Sequence, residues 1–193
     1  QELRPLPARG FRWALRKTLA RPALVAALLR SGRLLRPLLP ALLRSHIPAE
    51  QQRRPVPSAM LARRMLVLDG CVQRAATPNT NDAARRVLHR LGISLVSAPR
   101  AGCCGALSYH LGAPEEALQQ ARRNIDAWWP EVEAGVEAII SSASGCGTQL
   151  ADYGHLLADD PVYADKARRV SALARDIGQV LLDEDLARLE LQP

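Results

Sequence analysis

Long apolar runs are missing from this 193-residue chain. The longest before Arg30 is Ala23 to Leu29, far short of the roughly 20 residues a membrane-spanning helix needs. No span is expected, although attachment to a membrane surface stays open. Aromatic residues are scarce at 4%, and only Phe11 and Trp13 fall in the most basic stretch, where no nucleic-acid recognition motif occurs. Nucleic acid is therefore not an expected partner. Four cysteines are too few for a disulfide scaffold at this length. None are spaced C-x-x-C, which disfavours both zinc knuckles and a thioredoxin-type pair. Acidic residues are nearly missing from the first third. Residues 1–64 hold fourteen Lys and Arg against two Glu, a net +12, whereas residues 65–193 carry −5. The overall +7 thus belongs to the start of the chain.

What is present divides near residue 60. Residues 1–60 read as short amphipathic helices interrupted by Pro22, Pro37, Pro40 and Pro48, with a break at Ser31-Gly32. Leucines from Leu34 to Leu43 line one side and arginines the other. The Pro-rich polar stretch from Ile47 to Pro57 reads as a linker.

Residues 61–193 alternate between strand and helix signals. Met65–Asp69, Ile93–Ser97 and Val136–Ile140 are strand candidates. Asn79 to Asp82 supply capping residues for a helix carrying Ala83, Val87, Leu88 and Leu91. Pro114-Glu115-Glu116 opens a second helix, which Pro130 is expected to end. Residues 163–174 and 177–189 read as closing helices. The expected fold class is α/β: a small parallel sheet with flanking helices, Rossmann-like, preceded by short amphipathic helices.

The cysteines occupy one kind of position. Cys71 lies just past the first strand candidate, Cys103 and Cys104 past the second, and Cys146 past the third. Ligands bind open α/β sheets at that edge. Gly70, Gly102, Gly105, Gly145 and Gly147 flank the cysteines and permit tight turns and close approach to a bulky ligand. A shared metal or cluster is the leading reading, against four unrelated buried thiols. A Cys103–His110 nucleophile pair on one helical face is the enzymatic alternative, with a surface or capping His110 favoured over it. His46, His89 and His155 read as solvated or structural. Trp128-Trp129 reads as core or helix end ahead of a subunit contact.

Cys71, then thirty-one residues, then Cys103-Cys104-Gly105, with forty-one residues between Cys104 and Cys146, resembles the cysteine-rich CCG domain family. That family includes iron–sulfur subunits of glycolate oxidase, heterodisulfide reductase, and lactate and glycerol-3-phosphate systems. The stretches Ala101–Leu107, Ala121–Trp128, Ala143–Gly147 and Tyr153–Leu157 are most similar to the glycolate oxidase type. Two departures accompany the likeness: Ala143 stands where the family has a further cysteine, and neither ferredoxin-type cysteine modules nor a second CCG unit is present. The chain accordingly reads as an internal piece of a longer subunit, with residues 1–60 as a connector.

The resemblance implies electron transfer without an acid–base residue of its own, inside a glycolate- or 2-hydroxy-acid-oxidising complex. Cys71, Cys103, Cys104 and Cys146 would be metal ligands, with the five glycines beside the cofactor. The cofactor would be an iron–sulfur cluster of 4Fe-4S type, zinc being the alternative. Flavin-containing oxidase subunits would be the partners and a quinone-type molecule the acceptor. The expected location is cytoplasmic, with peripheral contact on the inner face of the membrane left open. A rival reading makes the basic segment a lipid- or nucleic-acid-binding module.

Overall fold

A computed structural model describes residues 5–189. The first four elements are helical: α1 (Leu6–Leu19), α2 (Pro22–Leu35), a 3-10 turn (Arg36–Leu38) and α3 (Ala41–Arg44). Prolines occupy the first turns of α1 and α2, where a missing N–H costs nothing. The expected break at Ser31-Gly32 does not occur, and α2 runs on to Leu35. A glycine inside a helix costs only about 1 kcal/mol, and Ile47 covers Gly32.

The linker expected at residues 47–57 has no regular structure, yet it is fastened to the domain that follows. Arg53 forks onto both carboxylate oxygens of Asp82 at 2.9 Å. The Asn79 backbone N–H donates to Gln51 Oε1, and Asn79 Nδ2 donates to the Gln52 carbonyl.

From residue 63 the chain alternates: β1 (Arg63–Val67), α4 (Gln73–Ala76), α5 (Pro78–Arg90), β2 (Ile93–Ser97), α6 (Ala106–His110), α7 (Pro114–Glu133), β3 (Ile139–Ser141), α8 (Ser144–Ala151), α9 (Tyr153–Leu156), α10 (Ala164–Ala172), β4 (Ala174–Asp176) and α11 (Ile177–Leu182), with a 3-10 turn at Leu186–Leu189. The four strands form one parallel sheet in the order β2-β1-β3-β4.

Pleating sends neighbouring side chains to opposite faces. Leu66, Leu68 and Ile139 join Ile125, Trp128, Leu150, Tyr153 and Val170 on one side. Met65, Val67 and Ile140 join Leu88, Leu91, Ile93 and Val180 on the other. Both faces of the sheet are therefore covered, as a parallel sheet requires.

Local details differ from the pattern reading. Asn81 and Asp82 are buried within α5 rather than capping it, because the helix begins earlier, at Pro78. Helix α7 passes through Pro130 to Glu133, where burial of Val132 outweighs one lost hydrogen bond. Strand β3 starts later than its apolar run, and β4 adds an edge strand that the pattern did not signal.

Candidate metal centre

Each cysteine stands where a parallel strand has just ended. Gly70, at φ +55°, turns the chain between β1 and Cys71. Cys103 and Cys104 follow β2. Gly105, at φ +98°, then starts α6, and a Cβ there would lie 3.1 Å from the Ala117 carbonyl oxygen. Glycine is needed at that position both for conformation and for space. Cys146 lies in the first turn of α8, after β3.

The four thiols lie close enough to shift one another's ionisation. Cys71 Sγ donates to Cys103 Sγ at 3.4 Å. All four thiols are free, Cys103 and Cys104 buried and the outer two half-buried. Hydrogen bonds from Cys104 and Cys71, with help from the Gly105 N–H and the Arg123 charge, hold Cys103 far below the usual thiol range. The bond from Cys104 likewise lowers Cys146. Donation to Cys103 and burial push Cys71 up, and Cys104 rises through its bonds to Cys103 and Cys146 and its burial. Backbone N–H groups of Val72, Gly105 and Ala106 favour the charged forms of Cys71, Cys103 and Cys104.

Two fully buried polar side chains fix the turn that carries the cysteine pair. Asn124, on α7, accepts from the Gly102 N–H at 2.8 Å and donates to the Cys103 carbonyl at 2.9 Å. Its Nδ2 also donates to Tyr153 Oη, which donates to the Cys104 carbonyl at 2.7 Å. Three successive residues of the turn are thereby held from one side. The sequence gives no spacing signal for this clamp, because its parts come together only in three dimensions.

A second polar group laces the strand ends together. Asp69 accepts from Ser97 Oγ at 2.8 Å, Arg85 Nη2 at 3.0 Å and Asn81 Nδ2 at 3.2 Å. Ser142 Oγ donates to Asn81 Oδ1 and accepts from Gln73 Nε2, which joins the loop after β3 to the others.

The five glycines do not behave alike. The Gly105 N–H favours the ionised form of Cys103. The Gly102 N–H goes to Asn124, and a Cβ at Gly102 would run into Arg123. Gly145 and Gly147 lie within α8 rather than in a turn before it, and the Gly147 N–H is taken by the Ala143 carbonyl. Ala143 caps α8 and offers no side-chain donor. Cys103 and His110 do not share a helical face, since Gly105 breaks the chain before α6 and His110 is exposed. Trp128 is core, and Trp129 lies under Lys166 and Arg169.

Soft, ionisable thiols on three turns, with backbone N–H groups aimed at them, suit a thiolate-held iron–sulfur cluster. The buried Gln73 Oε1, beside Gly70, has no hydrogen-bond partner, which leaves polar capacity unused at the same edge. Among the described residues no set of three or more His, Cys, Asp or Glu surrounds one ion position.

Residues 65–151 match the family described as the cysteine-rich domain CCG. The chain is 51% identical over 190 residues to the glycolate oxidase iron-sulfur subunit of Escherichia coli, a match covering 98% of this chain and 47% of that protein. It is 33% identical over 132 residues to the probable glycolate oxidase iron-sulfur subunit of Bacillus subtilis, covering 68% of this chain and 29% of that one. Lactate utilization protein A of an Exiguobacterium species is 27% identical over 113 residues, covering 58% and 45%. The chain therefore spans at most about half the length of these curated relatives. No solved structure matches it.

Proposed function

We propose that the chain is the electron-carrying part of an iron–sulfur subunit in a complex that oxidises glycolate or a related 2-hydroxy acid, a reading supported by the match of residues 65–151 to the cysteine-rich CCG domain family. The observation that carries this reading is the set of four free thiols that follow three neighbouring strand ends, with Cys71 Sγ and Cys103 Sγ in contact at 3.4 Å. Cys71, Cys103, Cys104 and Cys146 would hold the cluster, which is of 4Fe-4S type in this proposal. When bound, the cluster supplies one-electron transfer.

The chain's own residues do the rest. Buried Leu68 and half-buried Ala101 limit water around the sulfurs, Asn124 and Tyr153 set the turn, and N–H groups of Val72, Gly105 and Ala106 stabilise thiolate charge. No general acid or base is assigned. The electron donors would be flavin-containing subunits and the acceptor a quinone-type molecule. The location would be cytoplasmic. Peripheral membrane contact is favoured by the exposed Leu34, Leu38 and Leu42, which lie among arginines in a segment free of acidic residues from residue 3 to residue 49.

Iron and acid-labile sulfide analysis of anaerobically prepared protein tests the proposal. Both are expected, together with visible charge-transfer absorbance that Cys104→Ser abolishes. Zinc without sulfide, or unchanged absorbance in the variant, would overturn it.

A further inference from the structure

Beside Cys71 lies a half-open cavity of about 370 Å³. This is within the usual range for small-molecule sites. Its walls come from two regions that the sequence keeps apart. Pro22, Ala23 and Leu24 at the start of α2 face Val67, Ala98 and Ala101 at the ends of β1 and β2. The walls are therefore apolar. Arg21, Arg74, Arg100 and Arg123 also line the cavity, and none of them has an ion-pair partner among the described residues. The one carboxylate in the lining, Asp69, is already held by Arg85, Ser97 and Asn81 and does not neutralise them.

Four unpaired guanidiniums around a concave apolar space concentrate positive potential where a ligand would enter. Guanidinium forks match planar anions in geometry as well as in charge. We propose that this cavity binds a small organic anion: an apolar body seated against Leu24 and Ala98, with its charged end among Arg74, Arg100 and Arg123. Arg123 also donates to the Cys103 carbonyl and abuts Gly102, so the anion's partner touches the cysteine turn directly. This inference does not rest on the electron-transfer reading and holds whatever the thiols carry.

The apolar walls favour a small molecule over an acidic protein surface, which would meet the arginines without filling the space. Titration of the purified chain with 2-naphthoate, followed by calorimetry, tests this. One saturable site is expected. Binding should weaken roughly tenfold or more when the charge is removed in 2-naphthalenemethanol, and by a similar factor in the Arg74→Gln/Arg100→Gln variant. Neither arginine side chain makes an internal hydrogen bond among the described residues, so the double variant should retain the wild-type circular dichroism. The proposal is overturned by the absence of a saturable site, by equal affinity for the neutral alcohol, or by inorganic phosphate binding as tightly as naphthoate.

Discussion

The leucines of the two halves of the molecule meet opposite fates. Among the described residues, ten of the seventeen exposed large apolar side chains lie between Leu6 and Leu43, and Val25 is the only apolar core residue from that stretch. From Met65 onward the apolar residues close on both faces of a sheet. Composition does not separate the two regions, since each is rich in leucine and alanine. The difference is whether the chain supplies a second surface for each apolar face. The sheet-bearing region does so. The N-terminal helices do not, and polar contacts tie them to the rest: Arg12 donates to the carbonyls of His110 and Leu111, while Arg16 and Lys17 both reach Glu116.

The sharpest test of this contrast pairs one large side chain from each region. Trp128 is fully buried in the face covered by α7 and α10, and Trp128→Ala should cost roughly 3–5 kcal/mol. Leu38 is 82% exposed, so Leu38→Ala should change stability by less than about 0.5 kcal/mol. Urea unfolding of the two variants measures both. Comparable losses would mean that the N-terminal helices are as tightly integrated as the sheet, and the contrast would fail.

A smaller effect is expected at the clamp. Asn124→Ala leaves the buried Gly102 N–H and Cys103 carbonyl short of partners, and about 2–4 kcal/mol should be lost. Tyr153→Phe removes only the hydroxyl bonds to Asn124 and Cys104, so the loss should be nearer 1–2 kcal/mol. Both variants should also speed thiol labelling of Cys103 and Cys104 relative to Cys146, because the turn that buries the pair is loosened. Destabilisation with an unchanged labelling ratio would make Asn124 a general core residue instead of a support for this turn.

These residues also mark where sequence reading stops. Ile93–Ser97 was legible as a strand because its apolar run is bounded by Gly92 and Pro99 and coincides with the structural element. The placement of the cysteines after strands was legible because strand ends follow from periodicity. Strand β4 was not, since Ala174-Arg175-Asp176 is a three-residue edge with two exposed charged side chains. Pro130 misled because a proline ends a helix only when no buried residue beyond it rewards continuation, and Val132 does. The pairing of Asn124 with Tyr153, twenty-nine residues apart, has no local signature at all. Pattern reading reports which face of an element is apolar, whereas a buried hydrogen-bond clamp depends on which faces meet.

The smallest expected effect concerns the contact between the two regions. Glu116, in the first turn of α7, receives Lys17 at 2.9 Å, Arg16 at 3.3 Å and Ser108 Oγ at 3.1 Å. Burial alone would raise its pKa, but the hydrogen bonds from Lys17 and Ser108 and the two positive charges prevail, leaving it below the usual carboxylate value. A carboxylate lowered by folding contributes stability that is complete above its unfolded pKa and is lost as pH falls through the folded one. Docking of α1 should therefore be constant from neutral pH down to the ordinary carboxylate range and loosen only below it. Partly exposed ion pairs of this kind are worth on the order of 1 kcal/mol and are screened by salt. Hydrogen exchange of the α1 amides, corrected for intrinsic rates, should accelerate severalfold in Glu116→Gln at neutral pH. Added salt should accelerate exchange in the wild type and do little in the variant. If salt loosens α1 equally in both, Arg12 and the apolar contact at Val25 hold the segment, and the basic helices are joined to the sheet by more than charge.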